Sequence, residues 1–248
     1  MQSWKGELSL VRQVHKSGDS VIVYDDQRLS QISPADFSVN SPDEAERAMG
    51  QSGRHGAVRF VRRDDQDWVI RHYYRGGLIG KVLTDQYFWA GENNTRSFRE
   101  WDLLQEMQAS GLPVPVTVAA RYVRSGLCYR ADLITLRIPD VVPFSSYLEG
   151  KSGDTELWHA VGNCIARFHA AGFCHADLNA HNIQVGAGKQ IWLLDWDRGQ
   201  RRQQGNWMAA NLDRLRRSCT KISQQGAVRF IPADWDALLA GYNDKSAL

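Results

Sequence analysis

The stretch HADLNAHN, residues 175–182, followed by IWLLDWD, residues 191–197, restricts the architecture of this chain more than any other. His175, Asp177 and Asn182 stand at offsets of two and five, and the apolar run after them closes on Asp195. Upstream, DTELWHAVGNCIARFHAAG reads as a helix: Asp154 caps it, Leu157, Trp158, Val161, Ile165 and Phe168 form one stripe, and Gly172 stops it. Downstream, HNIQV and QIWLLDW flank the turn GAGK and read as a hairpin. The polar residues of the first stretch therefore occupy a loop between helix and strand. Asp195 ends the second strand, where it can reach a metal that Asn182 also touches. Asp and Asn favour loops for ordinary turn chemistry, but the joint spacing asks for more than that.

His-x-Asp-x-x-x-x-Asn is the spacing of a kinase catalytic loop, with Ala176 where Arg is usual. Phosphoryl transfer needs positioning and neutralisation of phosphate charge more than covalent help from the protein. On that logic Asp177 orients the acceptor hydroxyl and takes its proton, Asn182 and Asp195 hold Mg²⁺ against the phosphates of ATP, and His175 is a buried scaffold residue. DWD stands in place of Asp-Phe-Gly. The metal needs only Asp195, and Trp196 packs. The missing Gly, and the absence of a following Ala-Pro-Glu, speak against a flipping activation segment.

In the front half, SPDEAERAM predicts a short helix and residues 50–56 a Gly-rich turn, whose Gly53 and Gly56 could let backbone approach phosphates. AVRFVRR and WVIRHYY, joined by DDQD, predict an antiparallel hairpin. Strand alternation puts Trp68, Ile70 and His72 on one face and Val69, Arg71 and Tyr73 on the other. TRSFREWDLLQEMQASG predicts a helix with Phe98, Trp101, Leu104 and Met107 inward, Thr95 as cap and Gly111 as stop. Glu100 on it is either the acid that pairs with a phosphate-binding cation or a solvated surface carboxylate. That cation is Arg71, at the strand position where a kinase carries Lys, or Lys81 beyond RGGLIG. LPVPVTVAARYV and LCYRADLITLRI read as further strands, PDVVPF and EGKSGD as a boundary, and NWMAANLDRLRRS and PADWDALLAGY as closing helices, the first with a basic side.

A chain of 248 residues with 43% hydrophobic and 23% charged residues has the makings of a packed core, and a net charge of +2 gives no ground for a nucleic-acid partner. Arginines cluster in RFVRRDDQDWVIRHYYR and DRGQRRQQGNW, which suits an anionic ligand or surface. The four cysteines are scattered without a C-x-x-C pair, as expected of structural thiols in a reducing compartment. His169, Cys174, His175 and His181 match no zinc spacing. The N-terminal residues show neither a signal-peptide pattern nor a membrane span, so the chain is expected to stay in the cytosol.

RHYYRGGLIGK, RSFREWDLL, GLPVPVTVAARYV, HADLNAHNI, LLDWDRG and NLDRLRRS together resemble the signatures of the 3-deoxy-D-manno-octulosonic acid (Kdo) kinases of Gram-negative bacteria, within the wider lipopolysaccharide core kinases. The resemblance implies ATP-dependent phosphorylation of a Kdo residue on lipid A precursor, at its 4-hydroxyl, on the cytoplasmic face of the inner membrane. The partners it implies are a lipid-linked sugar acceptor and the membrane surface. Asp177 matches the family's catalytic Asp, and Trp196 stands where the family usually has Phe. An acceptor sugar with a carboxylate would favour nearby arginines, for which Arg198, Arg201, Arg214 and Arg217 are candidates. The fold expected is protein-kinase-like α+β, bilobal, with a small β-rich lobe over 1–138, a mainly helical lobe over 139–248, and ATP in the cleft between. A kinase of another small hydroxyl, such as an aminoglycoside or a different core sugar, and a nucleotide-binding scaffold without turnover are the alternatives.

Overall fold

β-branched and aromatic residues are concentrated in the strand segments of the first unit, and those segments pair into one antiparallel sheet. In the computed structural model, residues 12–38, 58–63, 65–75, 85–148, 154–225 and 230–244 are described. The fold is mixed, with a sheet-rich part and several helices. It divides into two compact units, the first made of 1–105 and 116–137, the second of 106–115 and 138–248. The expected helix over SPDEAERAM, the Gly-rich turn with Gly53 and Gly56, and Lys81 lie outside the described residues.

The first unit holds a seven-stranded sheet: β1 (Arg12–Ser17), β2 (Ser20–Asp25), β3 (Val58–Arg63), β4 (Gln66–His72), β5 (Tyr87–Phe88), β6 (Thr117–Ser125) and β7 (Cys128–Leu136). Its order is β1-β2-β6-β7-β4-β3, with β5 added to β7. The β3–β4 hairpin pairs Val58 with Arg71 and Arg63 with Gln66. Trp68 and Ile70 enter a core shared with Ile22, Phe37, Val118 and Ile134. The sequence reading assigned no element to residues 12–25, yet SVIVYD is a buried strand, turned back on β1 through Gly18 at φ 57°.

The helix α1 (Arg96–Ala109) buries the four residues expected of it, Phe98, Trp101, Leu104 and Met107. The carbonyl of Thr95 accepts the first helical hydrogen bond from Arg99, and the left-handed Gly111 lets the Leu112 N–H reach back to Met107 at 2.9 Å. Residues 106–115 group with the second unit rather than with an undivided 1–138. The reason lies in their bonds: Gly111 O accepts from Arg167 at 2.8 Å, and Pro113 O accepts the Leu193 N–H at 3.1 Å.

The second unit is mainly helical. The short strand β8 (Val142–Pro143) leads into a single helical turn, Phe144–Tyr147. The helix α2 (Thr155–Ala170) follows, with the Asp154 carboxylate accepting from the Leu157 N–H at 3.0 Å. Next come β9 (Phe173–Cys174), β10 (Ile183–Val185), β11 (Ile191–Leu193) and β12 (Gln200–Arg201), then α3 (Trp207–Gln225) and α4 (Pro232–Asn243). β10 and β11 form the expected hairpin and β8 joins its edge. Cys164, Cys174 and Cys219 are buried thiols, and burial pushes Cys164 and Cys219 up to about 12. Gly172 ends α2 at φ 79°, and a Cβ there would meet the Arg202 carbonyl at 2.7 Å, so this turn needs glycine for both conformation and space.

Candidate active site

In the second unit, the loop between β9 and β10 is organised by its own side chains. Asn179 accepts the N–H groups of His181 and Asn182 through Oδ1, at 2.9 and 3.2 Å. Its Nδ2 donates to the carbonyl and to Oδ2 of Asp177, at 3.0 and 3.2 Å. Asn182 Nδ2 donates to the same Asp177 carbonyl at 3.0 Å. Only the nitrogen of that amide can make this bond, so the oxygen is the end left for a cation. Asn179 therefore sets the spacing between Asp177 and Asn182, a role the motif alone did not reveal.

His175 ties this loop to the segment after β11. It is 2% exposed. Its Nε2–H donates to Leu194 O at 2.8 Å while Nδ1 accepts the Asp177 N–H at 3.1 Å. Both ring nitrogens are satisfied only in the neutral form, and burial lowers the histidine from its usual value of 6.5. Leu194 also donates its own N–H to Asn182 O at 2.8 Å. Both backbone groups of the residue preceding Asp195 are thus bonded to the catalytic-loop motif.

Asp195 itself sits at φ 60°, a left-handed conformation that Asp tolerates better than most residues. Such a conformation persists where the surroundings over-determine it, and here Leu194 on one side and Trp196 on the other do so. Trp196 is 1% exposed, stacked on Phe168 with centroids 5.1 Å apart, and its indole N–H donates to Leu193 O at 3.1 Å. This is the packing role expected of the aromatic. The chain then returns at once: Gln200 and Arg201 pair with Cys174 and Phe173, and the Arg202 N–H bonds Gly172 O at 2.7 Å. The segment behind Asp195 is pinned to the strand that leads into the loop.

The helix α3 supplies a second support, of which the sequence reading singled out Arg214, as an acceptor candidate, but not Asn211 or Ser218. Asn211, Arg214 and Ser218, at helical spacings of three and four, line one face of it. Asn211 Nδ2 donates to His175 O at 3.0 Å, Arg214 Nη1 to Asp177 Oδ1 at 2.7 Å, and Ser218 Oγ accepts the Ala180 N–H at 3.2 Å. The polar residues within NLDRLRRS carry the signal, visible only once that face is known to meet the loop. Of the other acceptor candidates, Arg198 and Arg217 are exposed, and Arg201 lies 3.6 Å from Glu106.

The first unit holds a group of its own. Arg71 on β4 forms an ion pair with Glu100 on α1 through Nη2, and its guanidinium carbon lies 4.8 Å from the centre of the Tyr73 ring. The Tyr73 hydroxyl donates to the same Glu100 oxygen at 2.7 Å and accepts from Arg71 Nη2 at 3.1 Å. Burial, then the Glu100 charge, raises Tyr73 well above its usual value, which keeps it a donor. Glu100 is 4% exposed, so it is no solvated surface carboxylate. Strand alternation correctly placed Arg71 and Tyr73 on one face, but that they meet Glu100 is a tertiary fact.

The donor set of the second unit fits a hard divalent cation: the Asp195 carboxylate and the Asn182 amide oxygen are oxygen ligands of the kind Mg²⁺ takes alongside phosphate and water. The half-exposed Asp177, with its backbone held from both sides, is placed to accept a proton from a bound hydroxyl.

The lipopolysaccharide kinase (Kdo/WaaP) family model matches residues 42–242. Among curated proteins, the chain is 38% identical over 230 residues to the 3-deoxy-D-manno-octulosonic acid kinase of Xylella fastidiosa strain M12, covering 92% of this chain and 91% of the relative. It is 40% identical over 226 residues to the protein of that name from Xanthomonas oryzae pv. oryzae strain PXO99A, covering 91% and 90%. It is 35% identical over 228 residues to the one from Vibrio vulnificus strain YJ016, covering 92% and 97%.

Proposed function

Because the chain belongs to the lipopolysaccharide kinase (Kdo/WaaP) family, we propose that it transfers the γ-phosphoryl group of ATP to the 4-hydroxyl of a Kdo residue on lipid A precursor, in assembly of the lipopolysaccharide inner core. It is a phosphotransferase, and its curated relatives carry the name of Kdo kinases. The observation that carries the residue assignment is the pair of hydrogen bonds that join Leu194 to the His175–Asn182 loop, its carbonyl accepting from His175 and its N–H donating to Asn182, which ties the residue before Asp195 to Asp177 and Asn182.

In this reading Asp177 orients the acceptor hydroxyl and takes its proton as the oxygen attacks the γ-phosphorus. The new P–O bond forms, the bond from the γ-phosphorus to the β-bridging oxygen breaks, and ADP leaves with that electron pair. Asn182 and Asp195 would hold Mg²⁺, which when bound would supply neutralisation of charge on the phosphates. Arg71, braced by Glu100 and Tyr73, contacts phosphate as a planar fork where a kinase ordinarily has Lys. The contrast between a sheet-rich unit and a mainly helical one supports a protein-kinase-like fold with two lobes.

The acceptor's lipid also motivates a place for the protein: we assign it to the cytoplasmic side of the inner membrane, bound at the surface. Among the described residues no helix is long and apolar enough to cross a membrane. The exposed Phe88 and Leu127, on adjoining strand and turn beside the exposed Arg124 and Arg130, suit an anionic bilayer surface.

The test is radiolabel transfer from ATP to Kdo-lipid A precursor by wild type and Asp177→Ala. Label with wild type, and a rate lower by about 10²–10⁴ in the variant, supports both reaction and base. No transfer by wild type, where a panel of other sugars and an aminoglycoside accepts label, moves the protein to another acceptor.

A further inference from the structure

The contact between Arg214 and Asp177 is not explained by stability. The two side chains are 48% and 44% exposed, and an ion pair at such exposure is worth about 0–1 kcal/mol. It does, however, set a guanidinium directly against the oxygens that the reaction needs. Oδ2 of Asp177 accepts from Asn179 within the loop, while Oδ1 accepts from Arg214 Nη1 at 2.7 Å. A carboxylate has about four lone-pair sites, so an acceptor hydroxyl can donate to Asp177 beside both. Asn179 is locked by three further bonds to its own loop, whereas Arg214 reaches Asp177 through one N–H of its fork.

We propose that Arg214 is the receptor for the carboxylate of the acceptor sugar and the residue that makes the enzyme specific for an acidic sugar. This deepens the Kdo kinase reading and rests on it. A guanidinium presents five N–H donors in one plane, and a carboxylate takes two of them side by side. The acceptor acid takes the fork of Arg214 while a hydroxyl of the same molecule donates to Asp177 beside it, so one contact orients the molecule on its base. Where the fork has to turn toward the acid, the half-solvated pair with Asp177 yields at little cost. A neutral sugar lacks this anchor. The helix holds the residue where this contact requires it. Asn211, three residues before Arg214, bonds the loop at His175, and Ser218, four residues after it, bonds the loop at Ala180.

The experiment compares two acceptors in the intact protein: a Kdo-bearing lipid A precursor and the same molecule with its carboxyl group reduced to an alcohol. Wild type should favour the acid in kcat/KM by roughly 10- to 100-fold, the span of a charged hydrogen-bonded contact. Arg214→Ala should lose far more on the acid than on the reduced acceptor, so that the preference falls to within about threefold. Arg214→Lys, which keeps the charge without the fork, should restore part of it. Lys221→Ala, two turns further along the same exposed side of α3, should behave as wild type. Equal loss on both acceptors would reduce Arg214 to a support for Asp177 and overturn the inference while leaving the kinase reading intact. A raised KM for ATP with unchanged KM for the acid would assign Arg214 to the nucleotide and overturn it too. Failure of wild type to phosphorylate either acceptor would remove both.

Discussion

Replacing His175 by Phe keeps the ring in its place against Trp196, with centroids 4.6 Å apart in the native protein, and deletes both of its hydrogen bonds. The Leu194 carbonyl and the Asp177 N–H are then left without the partners they have at 2.8 and 3.1 Å. Each orphaned buried group costs about 1–3 kcal/mol, so the variant should lose roughly 2–6 kcal/mol. For a chain of this length about 2–4 °C of melting temperature goes with each kcal/mol, which predicts a drop of roughly 5–20 °C. Turnover should fall as well, since the same bonds hold Asp177 and the approach to Asp195. A displacement of about 1 Å at such a site costs on the order of 100-fold. Thermal melting by circular dichroism, with turnover measured well below the transition, tests both effects. There is also a pH signature. The folded protein prefers His175 neutral, so its contribution is complete above the unfolded value of 6.5 and is lost as pH falls below that. Acidification should narrow the difference between wild type and His175→Phe. A variant that melts within about 2 °C of wild type, with unchanged kcat, would refute the reasoning.

Gly162 on α2 and Gly241 on α4 mark the closest approach of those helices: an added Cβ would stand 1.9 Å from Leu238 O and 2.0 Å from His159 O respectively. Gly→Ala in a helix ordinarily gains about 1 kcal/mol, but either substitution here should cost about 1–3 kcal/mol or more in urea unfolding, and a stabilised variant would contradict the packing. Asp195→Asn should raise the Mg²⁺ concentration needed for half-maximal rate and lower kcat by roughly 100-fold or more, as read from a magnesium titration of turnover. Arg71→Lys keeps a cation but not the fork held by Tyr73 and Glu100, so KM for ATP should rise about tenfold while KM for the acceptor stays constant.

Much of the layout of the second unit's candidate site was legible because it is local. Asp177 and Asn182 are five residues apart on one loop, and the hairpin that brings Asp195 back is read from two short apolar runs and a turn. The helical stripes of Phe98 to Met107 and Leu157 to Phe168 were legible for the same reason, since a period of 3.6 residues is a property of the chain and not of its neighbours. Strand alternation likewise separated Arg71 from Trp68 before any partner was known.

What lay beyond the sequence was decided by which faces meet. Arg71 and Glu100 are 29 residues apart, and Asp177 and Arg214 are 37 apart. No periodicity relates such pairs, because their distance depends on how whole elements pack. Asn211, Arg214 and Ser218 look like an ordinary basic helix face until α3 is laid along the loop, when three side chains find three loop groups. Gly162 and Gly241 look like weak points in two helices until the backbones close on each other. The left-handed Asp195 is a third case: its conformation is imposed by Leu194 and Trp196 being held on either side, a constraint that exists only in the folded chain. Local patterns of hydrophobicity and spacing are encoded within a few residues and survive in the sequence as such. Contacts between distant segments arise from packing, and it is packing that sets Arg214 against Asp177 and Glu100 against Arg71.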